Sequence, residues 1–227
     1  MDATRFHQVV PRPKVAGPPL VAQWPRKLLA PEAPQFLATE FRSKMAARLE
    51  PINEDPDISA AVLVGCFDLD GDVGILLTRR SATMRSEPLT VSFPGGRLES
   101  DESPLAGALR EAEEEVGLRA HQFEVIGCLK VAERRRANEY VLPVVAWLAP
   151  GFSVRPNPDE VDEVLLIPLR SLVEDGVSWE EEWGDTEVAR TVRFFAHEKS
   201  LGRDLVWGLT ARMIWELLEL ALAEGDE

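Results

Sequence analysis

Residues 95–118, GGRLESDESPLAGALREAEEEVGL, constrain the fold more tightly than any other part of the chain. Ser103 followed by Pro104 is a helix start: a capping hydroxyl, then a residue whose fixed φ suits the first helical turn. Gly117 is a natural stop, because it enters the left-handed region without a Cβ clash. Between these ends, at about 100° per residue, Leu105, Leu109, Ala112 and Val116 form one narrow apolar stripe. Glu111, Glu114 and Glu115 fall roughly opposite, within about 100° of one another. The segment therefore predicts a helix with one face on a core and a loop at each end.

Seven carboxylates in this one stretch, in a chain whose formal net charge is −14, call for a reason. Glu111 and Glu115 are like charges four apart, unfavourable by about 0.2–0.5 kcal/mol in an isolated helix. A solubilising face would set Lys or Arg there; inside this helix only Arg110, four before Glu114, compensates. Converging carboxylates suit a hard divalent cation, Mg²⁺ or Mn²⁺, bound through oxygen. A solvated acidic face satisfies the helix geometry equally well. Glu113 points elsewhere and reads as a solvated bystander.

Around this helix the pattern is mainly of strands. ISAAVLVGCF and VGILLTR are apolar, β-branched runs joined by DLDGD, in which Asp70-Gly71 signals a tight hairpin. DLDGD lacks the glycine and distal glutamate of a calcium loop. FEVIGCLKVA and EYVLPVVAWLA predict two more strands, joined by Arg134, Arg135 and Arg136, which read as a solvated tip or an anion contact. DEVLLIPL predicts a strand that Pro168 ends, with a helical turn following. SWEEEWGDTEVARTVRFFA predicts an acidic loop and then a strand, with Trp179 and Trp183 either packing the loop or stacking on a ligand. FLATEFRSKMAARLEP predicts a short helix with Leu37, Phe41, Met45 and Leu49 four apart. LVWGLTARMIWELLELALAE predicts a closing helix whose core face carries Leu209, Met213, Leu217 and Leu220. The proline-rich first 35 residues predict an extended arm.

The expected organisation is α+β, with an arm and helix over residues 1–50 and a single domain over residues 51–227. The acidic balance argues against nucleic acid as a partner, and no apolar run reaches the length of a membrane span. Cys66 and Cys128 sit in apolar surroundings, which fits buried thiols in a reducing cytoplasm. His7, His121 and His197 share no ligand spacing, so zinc is not expected.

The wider spacing carries a resemblance. Gly96, five residues, Glu102, seven residues and then Arg110-Glu111-Ala112-Glu113-Glu114-Glu115-Val116-Gly117-Leu118 is similar to the Nudix box, with Ala112 smaller than the usual aliphatic residue. The resemblance implies a mixed β-sheet sandwiched between α-helices, with the box as its loop–helix–loop. It also implies hydrolysis of a pyrophosphate in a nucleoside-diphosphate-linked substrate, assisted by Mg²⁺ or Mn²⁺. Carried over, Glu111, Glu114 and Glu115 would ligate metal, Arg110 would orient them, and Glu102 would lie nearby. Gly95 and Gly96 would let the backbone approach metal and phosphates, since no Cβ intervenes. For the general base, Glu111 and the later Glu139, Glu160 and Glu163 stand as alternatives.

Residues 76–96, LLTRRSATMRSEPLTVSFPGG, further resemble the segment before the box in the coenzyme A pyrophosphatase subgroup. Arg80 and Arg85 would then bind phosphate. Position 89 departs from that pattern: Leu89 stands where the subgroup has glycine, so a positive φ there would meet a Cβ. Three functions follow as expectations: a coenzyme A pyrophosphatase, the same chemistry on ADP-ribose or NADH, and a silent Nudix-fold ligand-binding regulator. A homodimer, with the arm packed across its interface, stays open.

Overall fold

The structure, a computed structural model of the chain, describes residues 6, 8, 10–11, 19–21, 37–55, 57–134, 139–184, 190–196, 198–202 and 204–223. Most of the arm, Arg135, Arg136, His7 and His197 lie outside the described residues.

In sequence order the elements are β1 (Leu20–Val21), α1 (Ala38–Arg48), β2 (Ile58–Leu69), β3 (Asp72–Arg80), β4 (Val91–Ser92), β5 (Gly95–Arg97) and α2 (Pro104–Val116). There follow β6 (Phe123–Cys128), β7 (Ala132–Arg134), β8 (Glu139–Leu148), β9 (Val161–Pro168), β10 (Ser178–Trp183), β11 (Arg190–Phe195), α3 (Glu198–Leu201), β12 (Val206–Trp207) and α4 (Gly208–Leu222).

The apolar runs build a mixed sheet of order β4-β3-β2-β8-β6, to which β5 adds on β2, β7 on β8 and β9 on β3. Strand β2 is its centre, antiparallel to β3 and parallel to β8. Asp70 (φ 54°) and Gly71 (φ 88°) turn the β2–β3 hairpin, and the Asp68 carboxylate accepts the Gly71 amide at 2.7 Å. Two positive φ values in a row are what a two-residue hairpin turn requires.

Because side chains alternate along a strand, β2 feeds two cores. Ala60, Val64 and Cys66 join Phe41 and Met45 of α1 and Met213, Ile214 and Leu217 of α4 on one face. Ala61, Leu63 and Phe67 join Ala108, Ala112 and Val116 of α2 on the other. The mixed sheet is thus sandwiched between helices, an α+β arrangement. Cys66 and Cys128 are free and belong to opposite cores, and burial pushes the Cys66 thiol up to about 12.

A second, four-stranded sheet, β1-β10-β11-β12, corrects the expected acidic loop: SWEEEW is strand β10. Its alternation puts Trp179, Glu181 and Trp183 on one buried face, while Glu182 faces out. Both indole N–H groups donate to the Glu181 carboxylate, at 3.1 Å from Trp179 and 2.9 Å from Trp183. That pairing lets a carboxylate sit in a core. Trp179 stacks on Phe194 with ring centroids 5.1 Å apart, so these indoles pack the second sheet. Of the arm, Leu20 and Val21 pair with β10, and Phe6 and Val10 pack on the same aromatic cluster.

Candidate active site

Helix α2 begins and ends as its sequence demands. Ser103 Oγ accepts the Ala106 amide at 3.2 Å and Pro104 is the first helical residue. At the far end Gly117 adopts φ 70°, and the Gly117 and Leu118 amides bond back to the Glu113 and Ala112 carbonyls. The segment after β8 then docks on this end: the Arg155 amide donates to the Val116 carbonyl and the Asn157 amide to that of Glu115, each at 2.8 Å. This docking delivers Glu160 to the helix.

The buried face of α2 is turned from the predicted stripe. Gly107, Ala108, Ala112, Glu115 and Val116 are buried, whereas Leu105 and Leu109 are half-buried. Small residues at 107 and 108 let the helix press close on that side; a Cβ on Gly107 would strike Leu98. The rotation takes Glu115 with it, to 4% exposure.

Arg110 gathers the other acids. Its Nε and Nη2 donate to the two Glu102 oxygens at 2.9 and 3.0 Å. Its Nη1 donates to Glu111 at 2.9 Å and Glu114 at 3.1 Å, and Nη2 also reaches the Arg97 carbonyl at 3.0 Å. The Arg110 bond holds Glu102 below the usual carboxylate range, and the guanidinium itself is raised by the Glu102 bond. Glu113 lies outside this group, exposed and 3.8 Å from Arg119.

Glu115 has less help, from the Gly95 backbone amide. Among the described residues its Oε2 is buried without a hydrogen-bond partner, and its nearest cation is Arg80, 3.9 Å from Oε1. Burial first, then the Glu111 charge, pushes the Glu115 carboxyl up to about 8, with Arg80 opposing and Glu160 adding to the rise. Burial also raises Glu111, against Arg110. Next to these two acids is Gly96, where a Cβ would collide with the Glu111 carboxylate. Gly95, at φ 155°, has no room either: its Cβ would meet the β2 backbone at Ala61 and Val62. The glycine pair is therefore a cradle that brings backbone against carboxylate.

This is a donor set of hard oxygens with an orphaned buried atom, which suits a divalent cation. Among the described residues no three acid, histidine or cysteine side chains are already gathered at ligand spacing.

The later acids separate by partner. Glu139 bonds Arg97, and Glu163 bonds Arg79 at 2.7 Å. Glu160 is the one whose charge acts on both Glu111 and Glu115. Sequence distance hid this, since the docking of residues 155–157 on α2 is what sets it. Arg85 is exposed in the β3–β4 connection. In that connection Leu89 takes φ 60°, so the backbone keeps a left-handed turn despite the Cβ.

Residues 59–195 match the NUDIX domain model. A chloroplastic Nudix hydrolase 22 of Arabidopsis thaliana is 36% identical over 178 residues, 77% of this chain and 57% of that protein. A mitochondrial coenzyme A diphosphatase of Homo sapiens is 37% identical over 74% of this chain and 70% of its own length. An uncharacterized Nudix hydrolase, NudL, of Shigella flexneri is 34% identical over 78% of this chain and 91% of its own. The chain thus spans little more than half the length of the plant relative. With the domain match covering the strands of the mixed sheet and the glutamate-bearing helix, this chain belongs to the Nudix hydrolase family.

Proposed function

We propose that this protein hydrolyses the diphosphate bond of a nucleoside-diphosphate-linked substrate, with coenzyme A or one of its derivatives as the first choice and Mg²⁺ or Mn²⁺ as cofactor. The observation that carries this is Glu115: a buried carboxylate with an orphaned oxygen, set beside Glu111 and Glu160. Glu111, Glu114 and Glu115 would hold the cation, beside the backbone of Gly95 and Gly96. When bound, it would neutralise the diphosphate and supply Lewis acidity at the attacked phosphorus. Arg110 keeps Glu111 and Glu114 in place, with Glu102 as its counterweight. Arg80, beside Glu115, and Arg85 would bind phosphate oxygens through their planar forks.

In the reaction a water oxygen attacks one phosphorus and the bridging P–O bond breaks. Glu160 takes the water's proton at its carboxylate, a role supported by its charge acting on both Glu111 and Glu115. From coenzyme A the products are 4′-phosphopantetheine and adenosine 3′,5′-bisphosphate. Support for that substrate comes from the relatives named as coenzyme A diphosphatases and from the left-handed backbone kept at Leu89. We read residues 51–227 as the hydrolase domain, with residues 1–50 as its arm and helix. The two free, buried cysteines fit a reducing cytoplasm. Relatives' names include peroxisomal, mitochondrial and chloroplastic forms.

Product release from coenzyme A, ADP-ribose and NADH, with Mg²⁺ or Mn²⁺, tests the proposal against Glu115→Gln and Glu160→Gln. Coenzyme A should be preferred, with Glu115→Gln silent and Glu160→Gln slowed by about 10²-fold. Preference for ADP-ribose or NADH would overturn the substrate and leave the chemistry. Silence of the wild type on all three would favour the binding-protein alternative.

A further inference from the structure

Strand β5 carries a second charged pair whose direction is set by the pleat. Gly96 faces Glu111, so its neighbour Arg97 leaves the sheet on the other side. There its guanidinium meets Glu139, the first residue of β8, through Nε and Nη2. The two partners differ sharply: the Arg97 side chain is 78% exposed, that of Glu139 only 8%. A surface cation is thus steered by a buried anion.

The pair is also fixed at its backbone. The Ser59 carbonyl accepts the Leu98 amide at 3.0 Å, and the Ser59 hydroxyl accepts the Tyr140 amide at 3.2 Å. One residue of β2 thereby ties down both the strand that bears Arg97 and the strand that bears Glu139. The Arg97 carbonyl meanwhile accepts from Arg110, the residue that gathers Glu102, Glu111 and Glu114. Arg97 is therefore held to the acidic cluster through its backbone and to Glu139 through its side chain. Nη1 has no partner among the described residues and lies on an exposed side chain.

A long arginine on a surface loses side-chain entropy when it is held in one geometry, and an exposed ion pair returns little for that. A buried acid that holds an exposed guanidinium through two of its nitrogens makes sense where a preorganised guanidinium has a ligand to meet. The ligand must be an anion, since Nη1 can only donate. It is not the diphosphate, because Arg97 leaves the sheet on the face away from Glu111. We infer that Arg97, positioned by Glu139, binds a second anionic group of the substrate, a phosphate monoester carried apart from the diphosphate. This rests on the hydrolase assignment above. In coenzyme A the group of that chemistry is the 3′-phosphate of the adenosine.

The test compares coenzyme A with dephospho-coenzyme A, which lacks that phosphate, in the wild type, Arg97→Ala, Arg97→Lys and Glu139→Gln. Arg97→Ala should raise KM for coenzyme A about tenfold, with kcat unchanged, and alter neither constant for the dephospho form by more than about twofold. Arg97→Lys should recover part of the loss, and Glu139→Gln should resemble Arg97→Ala in KM. Equal effects on both substrates, or a fall in kcat alone, would overturn the inference. A binding arm separates it from the hydrolase assignment: affinity for adenosine 3′,5′-bisphosphate against AMP, measured by calorimetry. A wild-type preference for the bisphosphate that Arg97→Ala abolishes upholds the site even if no substrate is turned over. No preference, or no binding of either, rules it out.

Discussion

Two arginines in this molecule each hold three carboxylates, and they do so to different ends. Arg79, on β3, donates to Asp162 at 2.9 Å and to Glu163 and Asp204 at 2.7 Å, and so ties the edge of the mixed sheet to the loop before β12. The buried member, Asp204, is matched directly by the guanidinium. Around Arg110 the count of charges is the same, but the most buried acid is left out. Glu102, Glu111 and Glu114 take its donors, and beyond them lies Glu115, more deeply buried than any of the three, with an oxygen left over. A cluster whose buried acid is bonded by its own cation is a clasp. One that leaves a buried carboxyl oxygen without a partner has a place for something brought from outside.

The largest effects should come from removing the buried acid on each side. Asp204→Ala leaves Arg79 with its most buried partner gone and should cost about 3 kcal/mol of stability, read as a denaturant midpoint. Its turnover per folded molecule should stay near the wild type. Glu115→Gln should do the reverse: turnover falls by at least about 10²-fold, while the metal-free protein is no less stable. A Glu115→Gln protein that unfolds easily and still turns over would mean that the two clusters are of one kind.

The pH dependence of stability sharpens the contrast. Glu115 has a folded-state pKa raised from 4.5 to about 8, so between those values the folded state holds a proton that the unfolded state has released. Metal-free stability should therefore fall as pH rises from about 4.5 to about 8, a slope that Glu115→Gln should reduce to the smaller part owed to Glu111. Mg²⁺ should flatten it in the wild type by favouring the ionised form. Melting temperatures across that window, with and without Mg²⁺, make the check. A slope undiminished in Glu115→Gln would assign it to another group.

How much of this could be read in the chain depends on the range of the interactions. The α2 caps, the Asp70-Gly71 hairpin and the alternation of β2 are local, and each is legible in a few residues. Strand β10 was hidden because three consecutive glutamates suggest solvent, and only the two indole donors on either side of Glu181 make its burial tolerable. Which side of α2 would be buried depended on how closely Gly107 and Ala108 let it approach the sheet. Glu160 could not be separated from Glu139 and Glu163 by sequence, because what distinguishes them is which arginine lies across the fold: Arg97 for one, Arg79 for another. Leu89 shows the converse. Its side chain departs from the expected glycine while its backbone does not, and φ of 60° at a leucine stores about 1–2 kcal/mol.

The smallest expected effect is the most discriminating. Glu114 and Glu163 are a matched pair: side chains 55% and 52% exposed, each bonded to the arginine at the centre of its cluster, at 3.1 and 2.7 Å. Exposed pairs of this kind contribute little, so Glu114→Gln and Glu163→Gln should each change stability by no more than about 0.5 kcal/mol. Their difference should appear only when Mg²⁺ is titrated against the melting temperature. Glu163 belongs to a closed clasp, and its loss should leave the Mg²⁺ response untouched. Glu114 is tied through Arg110 to Glu111, beside the orphaned oxygen of Glu115, and its loss should move half-saturation about tenfold higher. If both variants respond like the wild type, Glu114 is a solvated residue and the cation is held by Glu111 and Glu115 without it. If both shift alike, the response is one of overall charge in a chain of net charge −14, and the distinction between the clusters fails.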